Sequence, residues 1–326
     1  MTHSLFSLNR KVVISAPMAG YSDTIYRRFA RRYGADLTFT EMISAEGFLR
    51  DSTKTMKMLY HSPDEEPIGA QFFSGNPDAV EFSARKVSSM GFSVFDINMG
   101  CPVRKVLKNG AGAALLKNLK WAEKVIKAAM CAPIPISIKI RSGFSSSECE
   151  WENILKFLAR VEKLGISFIT IHPRTATQFF AGKANWKLIA EAVKNLKIPV
   201  IASGDIFSIE DVVKVIELTD AAGVMIARGA LSNFQLFRQA KKFFEGENPV
   251  NIEKISVAER GETMLEFIEE EIKYRGEERA IRWCRKFLVH LLTGFPGARQ
   301  LRERMNKIEK FSTLEREVFK PLFENF

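Results

Sequence analysis

The sequence predicts a (β/α)8 barrel followed by a small helical bundle. Three observations carry that reading. Short apolar, β-branched runs alternate with longer helix-periodic segments from residue 12 to about residue 245. The runs are apolar on both faces, as parallel strands covered by helices require. A polar or reactive side chain follows each run, at the carboxyl ends where such barrels gather their functional groups.

The strands are expected at 12–16, 37–40, 68–72, 95–98, 136–140, 168–172, 200–203 and 223–226. Between them the spacing predicts helices over 79–90, 121–130, 154–164, 186–196 and 209–218. Asn76-Pro77 opens the first of these and Gly91 closes it, while Ser208 with Asp211 approaches a capping box for the last. A doubly wound open sheet is the rival, but it uses five or six strands and leaves two units unexplained. From residue 256 helical runs continue at 256–274, 277–292, 297–308 and 313–323, with no convincing strand. Residues 1–245 are therefore expected to form the catalytic barrel and 246–326 a helical domain.

A chain of 326 residues is long enough for both parts. It has no run of 18 apolar residues of the kind that spans a bilayer, so no membrane association is expected. Residues 1–9 lack a basic lead into an apolar run, which points to the cytoplasm. The four cysteines, Cys101, Cys131, Cys149 and Cys284, show no C-x-x-C spacing. Neither a disulfide framework nor a metal site is expected, and at most one thiol should do chemistry while the others are buried. The chain is expected to act as a monomer.

The net charge of +10 suits an anionic partner, nucleic acid being the commonest large one, although a basic enzyme without a polyanion has the same composition. The charge concentrates in the tail, where residues 273–310 hold eleven Lys or Arg against four Glu. Arg275, Arg279, Arg282 and Lys286 recur at i+3 or i+4, which aligns them on one helix face, for binding or simply for solvation.

Several motifs sit at expected strand ends. Ser203-Gly204-Asp205 and Ala227-Arg228-Gly229 follow the seventh and eighth strands, where small residues let backbone amides approach a phosphate and Arg228 adds charge. Ala16-Pro17-Met18-Ala19-Gly20 after the first strand is suited to floor a flat ring, or is a plain turn. Lys139 lies in an otherwise apolar strand and needs a negative partner, such as the N1–C2=O side of a reduced flavin or a structural carboxylate. Gln71 ends the third strand, where its carboxamide pairs with a flavin edge or is satisfied in the core. His172 ends the sixth strand, with Arg174 beyond it, and no second ligand stands nearby for a metal. His3, His61 and His290 have no motif around them.

After the fourth strand comes Asp96-Ile97-Asn98-Met99-Gly100-Cys101-Pro102. A thiol in a Gly-Pro loop at a barrel mouth is accessible, and its reference pKa of about 8.5 lets it act as a general acid near neutral pH. Arg104, Lys105 and Lys108 follow, with Gly110 and Gly112, as a cationic lid over an anionic substrate.

The run Asn98-Met99-Gly100-Cys101-Pro102-Val103-Arg104-Lys105-Val106, continuing through Ala111-Gly112-Ala113-Ala114-Leu115-Leu116, resembles the signature of bacterial tRNA-dihydrouridine synthases. Ala16–Gly20 with Asp23, Lys139-Ile140-Arg141, His172-Pro173-Arg174-Thr175, and then Gln178, Gly182, Ala184 and Trp186, fit the same family in order. The resemblance implies FMN as cofactor, NADPH as reductant and tRNA as partner. It implies hydride transfer to C6 of a uracil, with Cys101 protonating C5. FMN contacts would then be Pro17, Met18, Ala19, Gln71, Lys139, His172, Ser203, Gly204, Asp205, Ala227 and Arg228. Asn98, Arg141 and Arg174 would position the flipped nucleotide, and Arg279, Arg282 and Lys286 would hold the tRNA backbone. The sequence departs from the family pattern at Ser203 (usually Asn), Ala227 (usually Gly), Phe180 (usually Tyr) and Ala176 (usually Arg). Two alternatives stand beside this reading: a flavin barrel acting on free pyrimidines or dihydroorotate, and a catalytically silent RNA-binding barrel.

Overall fold

A computed structural model describes residues 10–145, 150–293 and 298–324. The expectations placed on residues 1–9, including His3, on Cys149 and on Gly297 lie outside the described residues.

All eight expected runs form strands, and the ladder is parallel throughout. The strands are β1 (Val12–Ser15), β2 (Thr38–Phe39), β3 (Ile43–Ser44), β4 (Ile68–Phe73), β5 (Val94–Met99), β6 (Ile136–Gly143), β7 (Phe168–Thr175), β8 (Val200–Ser203) and β9 (Gly223–Ile226). They pair in the order β1-β9-β8-β7-β6-β5-β4-β2, and a parallel bridge from Ile14 to Leu37 brings the second strand back to the first. The amide of Ser15 donates to the Leu37 carbonyl and that of Asp36 to the Val13 carbonyl, which closes the barrel.

Two details differ from the sequence expectation. The second strand is split, because β2 and β3 both pair with β4 across Thr40-Glu41-Met42. Glu41 leaves the ladder there to accept from the amide of Gly20 at 2.5 Å. β6 and β7 also run three residues beyond their expected ends, with a register shift between Arg141 and Gly143. That extension carries Arg141 and Arg174 up to the barrel mouth.

Alternation along the strands sorts the core. Val12, Ile14, Phe39, Val94, Phe168, Ile201 and Met225 form one buried cluster inside the barrel, while Val13 and its neighbours pack outward under the helices. Gly69 makes room for this interior, since a Cβ there would lie 2.2 Å from the Phe39 ring.

The expected helices are found at Pro77–Val87, Leu119–Ala129, Glu150–Glu162, Trp186–Asn195 and Ile209–Thr219. Their starts follow caps: Asn76 accepts from the Asp78 amide, Asn118 from the Trp121 amide, and Ser208 and Asp211 form a reciprocal capping box. The tail contains Val257–Arg275, Glu277–Leu291, Ala298–Met305 and the closing turns Phe311–Leu314, Glu315–Phe319 and Lys320–Glu324. Gly276, at φ +83°, breaks the chain between the first two helices. Arg275 therefore ends one helix and does not share a face with Arg279, Arg282 and Lys286, as the spacing alone suggested. No helix among the described residues is long and apolar enough to cross a membrane.

The tail is joined to the barrel by an aromatic seam. Phe267 of helix Val257–Arg275 lies 5.3 Å from Phe29, 5.5 Å from Phe234 and 4.9 Å from Phe287, ring centre to ring centre. Tyr26 and Tyr21 extend the stack at 5.2 Å from Phe234 and 5.3 Å from Phe287. Tilted and edge-on pairs of this kind add about 0.5–1.5 kcal/mol each beyond the area they bury. Phe267→Ala should lower stability by about 3–5 kcal/mol. Urea unfolding measures this, and a loss below about 1 kcal/mol would show that the seam does not hold the tail.

Candidate active site

The site is built from the loops at the carboxyl ends of the strands, starting with β1. The Met18 amide donates to the Ser22 hydroxyl at 2.9 Å. Gly20, at φ +78°, donates to Glu41 and accepts from the ammonium of Lys286. Pro17, Met18 and Ala19 thus form a pinned shelf along one side of a cavity of about 480 Å³.

The Cys101 loop after β5 is organised by one side chain. The carboxamide oxygen of Asn98 accepts from the amides of Gly100 at 3.1 Å and Cys101 at 2.9 Å. Its Nδ2 donates to Gln71 Oε1 at 2.8 Å, Gln71 Nε2 donates to Asp96 at 2.7 Å, and Ser137 donates to Asp96 at 2.6 Å. Gln71 is thereby bonded at both ends of its carboxamide, buried, and absent from the cavity lining, so the expected direct contact with a ring edge is corrected to support through Asn98. The Cys101 carbonyl accepts from the Ala113 amide at 3.0 Å, and a Cβ on Gly112 would lie 2.7 Å from that carbonyl. The segment read as a lid forms helical turns, Arg104–Leu107 and Gly112–Lys117, tied back to Cys101. The thiol lines the cavity. Burial pushes its pKa up, against the Val103 amide and the charges of Arg141 and Lys139.

Opposite it by strand order lie the ends of β8 and β9. Gly204 sits at φ +102°, and a Cβ there would come 2.6 Å from the His172 ring. A Cβ on Gly229 would come 2.3 Å from the Ile206 carbonyl. The amides of Gly204, Asp205, Arg228 and Gly229 have no hydrogen-bond partner among the described residues. Four unsatisfied donors around a site where no side chain fits make a cradle suited to phosphate. Ser203 and Ala227 keep this backbone, so the two departures from the family pattern leave it intact. Arg228 stands at the rim, 4.4 Å from the Phe180 ring centre and 5.3 Å from that of Phe207.

The charge of the cavity is one-sided. The ammonium of Lys139 makes no hydrogen bond or ion pair among the described residues, and burial first, then Arg141, draws its pKa down to about 8. Arg141 donates to the carbonyls of Gly100 at 2.9 Å, Thr175 at 2.7 Å and Phe179 at 2.8 Å. Burial and Arg174 lower its pKa to about 10. His172 is held neutral by burial and by four surrounding cations, with a pKa pushed down to about 2. Asp205 is the carboxylate that lines the cavity, and Arg174 grips it with two bonds of 2.7 and 2.6 Å. Arg174 also donates to the carbonyls of Ala181 and Gly182, is buried, and does not line the cavity. Its place is therefore corrected from a substrate contact to a clamp between the β7 loop and Asp205. An anionic, planar ligand with a phosphate suits this donor set: phosphate on the cradle and Arg228, an electron-rich ring edge on Lys139.

Sequence reasoning missed some residues. His290, set aside for want of a motif, lines the cavity from the helical tail beside Tyr21. Its spacing from Lys286 and Trp283 on one helix stripe was the available signal. Phe207 lines the mouth from a loop without a motif. Cys131, expected to be buried, is exposed, whereas Cys284 is buried. His61 packs on Phe92 at 4.4 Å. Arg279 and Arg282 lie away from the cavity, in a second groove, and Lys286 is turned inward to Gly20.

Comparison with known proteins matches this architecture. The family model for dihydrouridine synthase matches residues 14–325. A probable tRNA-dihydrouridine synthase of Aquifex aeolicus is 36% identical over 94% of this chain and 94% of its own length. The tRNA-dihydrouridine synthase B of Pseudomonas aeruginosa is 32% identical over 91% and 88%. Among solved structures, histamine dehydrogenase from Rhizobium sp. 4-9 shares the barrel at a TM-score of 0.53 and 12% identity, over 79% of this chain and 48% of that one. An old yellow enzyme homologue from Zymomonas mobilis does so at a TM-score of 0.50 and 12% identity, over 77% and 92%. With a family model spanning nearly the whole chain and relatives above 30% identity along it, this protein belongs to the dihydrouridine synthase family.

Proposed function

We propose that this chain reduces uridine in tRNA to 5,6-dihydrouridine with FMN and NADPH, and that residues 1–245 carry the chemistry while 246–326 hold the tRNA. The observation that carries the reading is Cys101, a thiol kept protonated at the mouth of a cationic cavity, across from the amide cradle at Gly204 and Arg228. FMN held here would supply, when reduced, the hydride that C6 of the uracil receives. The chain's own part is to bind, orient and protonate.

The cradle and Arg228 take the FMN phosphate, while Pro17, Met18 and Ala19 floor the ring. Lys139, otherwise unpartnered, gives a charged donor to the ring's electron-rich edge, and neutral His172 offers a donor without adding charge. A uracil entering the cavity between this floor and the Cys101 loop would meet the thiol. Addition across C5=C6 needs one hydride and one proton, and the Cys101 thiol donates its proton to C5. Asn98 orients the thiol through the Cys101 amide, with Gln71 and Asp96 fixing Asn98 from below. Arg141, anchored by three carbonyls, is placed to meet the nucleotide's phosphate or a uracil carbonyl. A base reaching this cavity must leave its stack, at a cost of a few kcal/mol that cationic contacts to the backbone offset. Such a substrate places the enzyme in the cytoplasm.

A flavin reductase of free pyrimidines shares this ring chemistry but has no use for the basic tail. Gel-shift titration separates the two: salt-sensitive tRNA binding is expected, and its absence would sink the tRNA reading.

Cys101→Ala should keep flavin and tRNA binding yet lose turnover by about 10²- to 10⁴-fold. Full dihydrouridine formation in that variant would remove Cys101 as the acid. Because a general acid must be protonated and burial raises this thiol's pKa, kcat should stay flat through neutral pH. It should fall only above the ordinary thiol range; an alkaline limb below pH 8 would contradict the assignment. Lys139→Met removes a charged donor worth about 1.5–3 kcal/mol. Flavin titration should show binding roughly 10- to 100-fold weaker, and undiminished affinity would place the flavin elsewhere.

A further inference from the structure

Away from the cavity, a groove of about 1250 Å³ opens between helix Thr53–Leu59 and the first turns of helix Glu277–Leu291. Tyr60, Tyr274 and Trp283 line it together with Lys57, Arg279 and Arg282, and no carboxylate does. Tyr60 is 57% and Tyr274 51% exposed, a large apolar area to leave in water. Lys57 and Arg279 are exposed and have no ion-pair partner among the described residues. Arg275 also lines the groove, 4.4 Å from the Trp283 ring centre, but its charge is met by Asp23 and Glu271, and so it serves as a strut.

The groove is continuous with the cavity along one helix. Arg279, Trp283, Lys286 and His290 stand at successive i+4, i+3 and i+4 positions, a single stripe about 16 Å long. Its first two residues face the groove, Lys286 reaches Gly20 at the shelf, and His290 stands in the cavity wall. Interleaved aromatic rings with the unpaired cations Lys57 and Arg279, and no carboxylate in the lining, match the chemistry of unstacked RNA.

We propose that this groove holds unstacked nucleotides flanking the uridine in the cavity, their bases stacked on Tyr60 and Tyr274 and their backbone following the stripe from Arg279 to His290. The proposal rests on the tRNA reading above. Stacking is sequence-tolerant, since every base presents a π-face, so the groove would hold the strand in register without reading its sequence.

The test is a pair of double variants in the full-length flavin-loaded enzyme. Both rings are exposed, and Arg27 bonds to the Tyr60 backbone carbonyl, which substitution keeps. Y60A/Y274A should retain bound flavin and raise Kd and KM for tRNA about tenfold or more for each stacked base lost. Its kcat should change less than twofold, and its salt slope should stay that of the wild type. Y60F/Y274F should restore affinity, because a phenyl ring stacks as well. R279Q should instead reduce the salt slope by about one. Wild-type tRNA affinity in Y60A/Y274A overturns the proposal, and is the result expected if the groove serves a protein. Loss of affinity in Y60F/Y274F also overturns it, by assigning the effect to the hydroxyls. If the unaltered enzyme shows no salt-sensitive tRNA binding, the tRNA reading falls, and this proposal with it.

Discussion

The aromatic seam around Phe267 is the interaction on which the site's geometry depends. A parallel barrel presents its functional loops on one open end, and nothing in the barrel alone fixes what stands over that end. Phe29 and Phe234 project from the barrel's own helical layer, and Phe267 and Phe287 from the tail, into one buried stack. Because interiors are packed to crystal-like density, such a stack permits one docking angle rather than a range. That angle brings Lys286 to the Gly20 carbonyl and His290 to the cavity wall. The cavity is therefore a product of both parts of the chain.

Charge in the cavity follows from the same closure. Lys139, Arg141, Arg174 and Arg228 would be unremarkable on a surface, but the cavity buries Arg141 and Arg174 and half-buries Lys139 and Arg228, which makes them costly. The chain deals with them unequally. Arg174 is neutralised by a two-bond clamp to Asp205 and becomes scaffold. Arg141 is stabilised by three carbonyls, which hold its position without cancelling its charge. The Lys139 ammonium has no hydrogen bond or ion pair among the described residues, and burial and Arg141 outweigh the charge of Asp96 to draw its pKa down. The same field explains His172: four cations around a buried imidazole leave it no room to become a fifth charge.

Much of this was legible in the sequence. The eight strands were visible because two-sided apolar runs are a strong local signal, and the ends of β8 and β9 agree with it to the residue. The Cys101 loop and the glycine tripeptides were visible because they fall at strand ends. What escaped depended on pairing across the fold. The split second strand arises where Glu41 turns to Gly20, and the clamp role of Arg174 needs Asp205, thirty-one positions along the chain, to be recognised. Gln71 and Asn98 carry amides that suit a ligand or a core equally well, and only the three-dimensional network assigns Gln71 to the support. His290 escaped for the same reason: its stripe with Trp283 and Lys286 is visible in the sequence, but its place in the cavity wall is set by where the tail docks.

The basic tail shows how a one-dimensional charge count misleads and what replaces it. Its cations divide by what they touch. Arg275 is consumed by Asp23 and Glu271, Arg282 is paired with Glu278 and Glu309, and Lys286 is packed over Trp283 with its ammonium on Gly20. Arg279 remains free in the groove. Affinity for a polyanion scales with the phosphates neutralised, so this helix face contributes less to salt dependence than its sequence suggests. Its other contribution is geometric: Arg275, from the preceding helix, braces Trp283, and Lys286 ties the stripe to Gly20. A weak electrostatic track with fixed rings along it favours register over raw affinity. On the proposed function, register is what a cavity taking one extruded base would require.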